Sequence, residues 1–372
     1  MKIKVLTIAL LLPIILFSQS NNVRKKILMV VSSYGKEMGS IRPGFEFDEF
    51  SQAYLIFKQN GLIIDIASPK GGKVEADKYN EDKAYNKSVL ENQTILDLLN
   101  KTKSTSSLDP SKYDAIYVVG GKGAMFDLPY DPSLQDIILN LYQREETVIA
   151  SVCHGPASFV NVKDGDDYII KDVEITSFCN IEEELFGKKW VKEFPFKLED
   201  KIRSRGAIFS QTDFMLSNVS VSGKFITGQN PFSTARSAEE VVKALGIVPA
   251  DRILYKDEKT AYLIQDILNG DKTIKWSEKE LQNNKELYDI PLIAVYGFYK
   301  ILSAKEDIDA LSKSVELIEL TSPYFFNEKL QFTLAKSYIS LDNTERAKEI
   351  LNDLNSKGLL KEQVTKLLNE IS

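Results

Sequence analysis

Histidine and cysteine are nearly missing from this chain, which holds one histidine and two cysteines in 372 residues. Two cysteines cannot staple a disulfide scaffold of this length. A lone imidazole also excludes the usual nitrogen-and-sulfur zinc site, and no segment reads as a calcium loop, so no metal is expected. An excess of basic charge is lacking too: 47 Lys and Arg stand against 53 Asp and Glu, a net charge of −6. Without a basic stripe to neutralise phosphates, nucleic acid is not an expected partner. Long apolar runs are confined to the first twenty residues, where "VLTIALLLPIILF" follows Lys2 and Lys4 and runs into "SQS". The run is too short for a transmembrane anchor and has the layout of a secretory signal peptide over residues 1–20. An exported protein, periplasmic or secreted and free of the membrane after cleavage, is therefore expected.

The remaining chain has ordinary globular composition, 43% hydrophobic and 27% charged, and is long enough for one large domain and a smaller one. "KKILMVVSS", "LIIDIASPKGG", "YDAIYVVGG", "TVIASV" and "KFITG" read as short buried strands. Between them lie helical patterns such as "FDEFSQAYLIFKQNG" and "PSLQDIILNLYQRE". Strands alternating with helices predict an α/β domain over 23–247, a parallel sheet with helices on both faces. One helix is expected around "SVLENQTILDLLNK", and another directly after "SVCHG". Beyond residue 247 the alternation stops. Residues 248–288 read as a linker with a helix, and 289–372 as an all-α extension. There Ala335, Tyr338, Ala347, Leu351 and Leu354 have the spacing of a tetratricopeptide helix pair. So short a repeat needs a surface to pack on, either the first domain or another protomer. Protein binding or self-association through these helices is expected, with a homodimer as the simplest form.

The single histidine lies beside a cysteine in "ASVCHGPA", at the end of a buried strand. Ser151 two residues before Cys153 and Gly155 two residues after it are the small neighbours a nucleophile elbow needs. A helix start beyond the turn favours a thiolate, and His154 is placed to take the thiol proton. The tandem Gly120-Gly121 ends the preceding strand, where backbone N–H groups can line an oxyanion hole. The acids Glu46, Asp48 and Glu49 open a helix, and nothing local separates one of them from a solvated helix start.

Taken in order, "PGFEFDEF", "ASPKGG", "YDAIYVVGGKGAMFDLP", "VCHGPA", "FCNIEEE", "FPFKLED" and "ITGQNP" resemble the ThiJ/PfpI superfamily, whose fold is like that of class I glutamine amidotransferases. The likeness covers about residues 25 to 247. The nearest branch is that of heat-shock chaperones acting as glutathione-independent glyoxalases, the glyoxalase III type. The resemblance implies a flavodoxin-like sandwich. It makes Cys153 the nucleophile, His154 its base, Glu49 the acid touching the thiol, and Glu182 or Glu183 the acid orienting the histidine. Gly121 and the His154 N–H would form the oxyanion hole, with Gly120 and Lys122 beside the substrate. Lys122 stands where the family often has histidine, and Gln52-Ala53 where it often has His-Pro or Glu-Pro. The missing histidine argues against the auxiliary metal site of some relatives.

The implied activity needs no cofactor: methylglyoxal or a related reactive carbonyl becomes a 2-hydroxy acid (D-lactate) through a Cys153 adduct. Two other functions fit the same residues. One is a cysteine amidase or peptidase, and the other is a chaperone or scaffold built on the helical tail. Cys179 reads as an inert, half-buried thiol, with a disulfide to Cys153 as the sharper alternative.

Overall fold

The apolar runs form one sheet buried on both sides. The computed structural model describes residues 24–304 and 307–371, and the expected signal peptide lies outside them. The strands of the main sheet are β1 (Lys26–Val30), β2 (Ile63–Ser68), β3 (Lys103–Ser104), β4 (Ala115–Val118), β5 (Val148–Val152), β6 (Val219–Ser222) and β7 (Phe225–Gly228). Their spatial order is β6-β7-β5-β4-β1-β2-β3, parallel except for β6. Side-chain alternation divides the core. Ile27, Met29, Tyr117 and Ala150 face one layer. Leu28, Val30, Ile116 and Ile149 face the other.

The first layer is α1 (Phe47–Gln59), α2 (Ala84–Leu90), α3 (Gln93–Asn100) and, near the end of the domain, α8 (Thr234–Ala244). The second is built from α4 (Ala124–Asp127), α5 (Pro132–Gln143) and α7 (Leu198–Ser204), with α6 (Asn180–Phe186) at the rim. The chain runs from β1 to β2 on one side and returns through β4 to β5 on the other. The crevice at the carboxyl ends of β1 and β4 is thus a topological switch point, where open α/β sheets bind ligands.

Two expected helices come out differently. The single helix around residues 88–101 is split into α2 and α3, because Asn92 accepts a hydrogen bond from the Ile95 N–H and starts a new helix. The segment after Cys153 is only a 3₁₀ turn, Gly155–Phe159, with Pro156 near its start.

Residues 248–288 carry two helices, α9 (Lys256–Asn269) and α10 (Ile274–Asn284), followed by α11 (Ile290–Ala304) and α12 (Ile308–Thr321). Leu263, Leu281, Ile293 and Leu317 from these four helices share one core with Phe214 and Leu216 of the α/β domain. The stretch is therefore part of the helical unit rather than a linker. Then come α13 (Glu328–Ser340), α14 (Thr344–Ser356) and α15 (Lys361–Glu370). Ala335, Ala347, Leu351 and Leu354 are buried among them, while the Tyr338 hydroxyl donates to Glu319 at 2.9 Å.

The extension packs on the first domain of its own chain. Tyr296 stacks at a tilt on Phe214, and its hydroxyl donates to Asp213, which also pairs with Lys300. Elsewhere, Lys83 Nζ lies 2.6 Å from Asp48 and 3.0 Å from Asp257 of α9, and the Tyr85 hydroxyl donates to Asp257 at 2.5 Å with Asp48 3.2 Å away. Asp48 precedes Glu49 on α1, so this knot ties the extension to the helix that carries a candidate site acid. Replacing Lys83 with Met leaves two buried carboxylates facing each other. It should cost about 2–3 kcal/mol in urea unfolding, and Lys83→Arg should cost less than half as much.

Candidate active site

Cys153 follows the last residue of β5 and has a φ of 60°, a left-handed conformation that a side chain adopts at a cost of about 1–2 kcal/mol. The turn is pinned from both sides: the Cys153 N–H donates to the Gly228 carbonyl, and the Cys153 carbonyl accepts from the Phe178 N–H, each at 2.9 Å. Space around it is tight. A Cβ on Gly155 would sit 2.4 Å from the Val118 oxygen and 3.1 Å from the Ser151 Cβ. A Cβ on Gly120 would lie 2.7 Å from the His154 nitrogen and 2.8 Å from the Cys153 Cβ. Ser151, Gly155 and Gly120 are small because the turn leaves no room for more.

Cys153 Sγ is 3.3 Å from His154 Nδ1, and His154 Nε2 is 2.7 Å from Glu183 Oε1. All three residues are buried. The His154 ring is held against Phe178, with centroids 4.7 Å apart, and Phe194. Of the two acids left open by the sequence, Glu183 reaches the histidine. Glu182, one residue earlier on α6, points elsewhere. It accepts from the Met215 N–H at 3.2 Å, Asn230 Nδ2 at 2.8 Å, the Cys179 N–H at 3.2 Å and Gln229 Nε2 at 3.2 Å. Burial pushes its pKa up to about 7, although these donors pull it down. Glu182 thus caps α6 and braces the pocket wall instead of orienting His154.

Glu49 is fully buried in the first turn of α1, and its Oε2 accepts from the Gly120 N–H at 2.7 Å. Its other oxygen meets no donor in hydrogen-bond geometry, but the thiol of Cys153 is close enough to act on it. Burial raises the Glu49 pKa well above the carboxylate range and Glu46 raises it further, while Cys153 and the Gly120 N–H partly offset this. Burial likewise pushes the thiol up, and an ionised Glu49 pushes it further. A proton on Glu49 removes that second effect, so acid and thiol are coupled through one proton. The help expected from a helix start is small, since only a five-residue 3₁₀ turn follows.

The thiol opens into a cavity of about 430 Å³. Gly121 and Lys122 line it, while Gly120 stays behind the elbow with its N–H committed to Glu49. Gly121 has a φ of 92°. Among the described residues, no protein acceptor engages the N–H of Gly121 or of His154, so both remain available to a substrate oxygen. Glu46 also lines the cavity, and its pKa is raised to about 7 by burial and by Asp48. The sequence hid it, because an acid at a helix start is commonplace. Val295 and Tyr299 of α11 complete the wall, and no local motif marks either one. The two cysteines are free. Cys179 is fully buried in the layer opposite that of Cys153, its thiol 3.3 Å from Glu182 Oε2.

Residues 25–244 match the DJ-1/PfpI family. The chain belongs to that family. Glyoxalase 3 of Candida albicans is 30% identical over 233 residues, covering 59% of this chain and 98% of the relative. The glutathione-independent glyoxalase HSP31 of Saccharomyces cerevisiae is 26% identical over 243 residues, again 59% of this chain and 98% of the relative. Among solved structures, the Rapid Encystment Protein 24 kDa of Francisella tularensis matches with a TM-score of 0.56 and 32% identity, over 59% of this chain and 99% of the other. Glyoxalase III of Candida albicans matches with a TM-score of 0.55 and 27% identity, over 59% and 97%. These relatives are matched almost whole by the DJ-1/PfpI domain, so the helices after residue 247 have no counterpart in them.

The strain at the elbow is measurable. Cys153→Gly relieves it and Cys153→Ala keeps it, while both remove the thiol. After allowance for the chain entropy of glycine, the Gly variant should be the more stable by about 0.5–1 kcal/mol in denaturant unfolding. A Gly variant less stable than the Ala variant would mean that the turn is unstrained.

Proposed function

We propose that this protein is a glutathione-independent glyoxalase that converts methylglyoxal and related 2-oxoaldehydes to 2-hydroxy acids. The observation that carries this reading is the line Cys153 Sγ, His154, Glu183, with a second buried acid, Glu49, against the same thiol. The names of the relatives from Candida albicans and Saccharomyces cerevisiae support it.

The chemistry follows from the positions. Cys153 Sγ adds to the aldehyde carbon, its proton passes to His154, and the new oxyanion is received by the free N–H groups of Gly121 and His154. Glu183 holds the imidazolium that results. The oxyanion takes a proton to give a hemithioacetal. Buried Glu49 is a stronger base than a solvated carboxylate. It removes the hydrogen on the carbon bound to sulfur, giving an enediol, and returns a proton to the neighbouring carbon. That shift oxidises the first carbon and reduces the second, leaving a 2-hydroxyacyl thioester with no external oxidant. Water, deprotonated by His154, releases the 2-hydroxy acid and restores the thiol.

We further propose that the enzyme works outside the cytoplasm, a reading supported by the layout of residues 1–20.

Cys153→Ser should lower lactate formation from methylglyoxal by at least a thousandfold in the absence of glutathione, and full retention would remove the nucleophile. Glu183→Gln should lower kcat about a hundredfold with little change in unfolding midpoint. Glu182→Gln should do the reverse. Its amide NH₂ would face N–H donors and cost about 2–3 kcal/mol of stability, which thermal unfolding beside an activity assay would detect.

A further inference from the structure

The glyoxalase relatives from Candida albicans and Saccharomyces cerevisiae are matched almost whole over 59% of this chain, yet the helical extension beyond the family domain reaches the thiol's own cavity. Val295 and Tyr299, one turn apart on α11, line the space that Cys153 and His154 open into. Val295 is 40% exposed, while its neighbours Ala294 and Tyr296 on the same helix are fully buried. The position of α11 is fixed: Lys300 and Tyr296 hold Asp213 in the loop that also carries Met215, and the Tyr299 ring meets Phe186 edge-on at 4.8 Å.

The cavity wall has two kinds of residue: polar ones, His154, Lys122, Glu46, Glu182 and Asn230, and a larger apolar and aromatic set that includes Phe186, Met215, Phe232, Val295 and Tyr299. A three-carbon oxoaldehyde bound at the thiol would leave much of that apolar wall uncovered, since the cavity volume of about 430 Å³ is of the size that holds much larger ligands. A second apolar hollow of about 300 Å³ starts on the same Val295 and Tyr299 and continues over Phe298, Phe325 and Leu330. Room for an apolar substituent therefore runs from the reacting carbon onto the extension.

We propose that the helical extension is part of the substrate site and selects 2-oxoaldehydes carrying a bulky apolar or aromatic substituent, with Val295 and Tyr299 as the specificity-determining residues. The proposal rests on the glyoxalase reading above. It adds that the substituent packs on α11 while the dicarbonyl end faces Cys153. An apolar group in such a wall gains about tenfold or more per well-placed carbon.

Two measurements separate the proposal from the reaction on which it rests. The first uses Cys153→Ser, which cannot turn over, and titrates the hydroxy acids lactate and mandelate by calorimetry. Mandelate should bind at least tenfold tighter than lactate, and adding Val295→Trp should remove most of that advantage. The second compares kcat/KM for phenylglyoxal and methylglyoxal. The ratio should be about ten or more in the natural protein, fall about tenfold in Val295→Trp, and rise about threefold or more in Val295→Ala, which widens the wall. Thermal unfolding of each variant establishes that it is folded, and the Ala variant keeps the test open if the Trp variant is not. Equal binding of the two acids, or a ratio insensitive to both Val295 substitutions, overturns the role of α11 whatever the turnover. Selective mandelate binding without turnover of either aldehyde upholds the apolar site and overturns the glyoxalase reaction instead.

Discussion

Everything at this site depends on one strained residue. Cys153 turns the chain through a left-handed conformation at the end of β5, which is tolerated because the surrounding sheet over-determines it. Gly228 on β7 and Phe178 before α6 hold its two backbone groups, while Val118 and Gly120 close the space beneath. The outcome is a thiol lifted out of the sheet at the switch point, with His154 beside it and two N–H groups left free. Enlarging any of the small residues would displace the thiol.

Around that turn, three buried carboxyls in similar surroundings take different parts. Glu183 has the imidazole as its partner, Glu182 has a ring of N–H donors, and Glu49 has one N–H and a thiol. Burial penalises the charge of a carboxylate in each place, so the partners decide what each acid does. Glu182 is held structurally by its donors. Glu49, coupled directly to the thiol, is the one whose proton can move. The Asp48–Lys83–Asp257 knot anchors α1 one residue from Glu49, so the extension supports the base as well as the pocket wall.

Five of the seven strands were legible because they are short apolar runs with clear stops, unlike β3 and β6 at the sheet edges, and the elbow because its steric demands fall on adjacent residues. The sandwich with helices on both faces and the helical extension stand as read from the sequence. What could not be read was set by contacts distant in sequence. Glu182 and Glu183 differ only in which way α6 turns them. Glu46 looks like any acid at a helix start until burial is known. The polar stretch 248–288 gave no sign of joining the core around Phe214. Val295 and Tyr299 sit in an apolar helix, where pattern alone says core; the fold instead places them beside a thiol some 140 residues earlier. The missing helix after Cys153 has a local cause, since Pro156 and the tight elbow permit only a 3₁₀ turn.

The central claim is that Cys153 itself carries the substrate through the reaction. It is tested most directly by rapid acid quench of the protein during turnover of methylglyoxal, followed by intact mass and peptide mapping. The account predicts a transient adduct with the mass of one methylglyoxal, mapped to Cys153 and gone when substrate is exhausted. Steady lactate production with Cys153 unmodified at every quench time would contradict it.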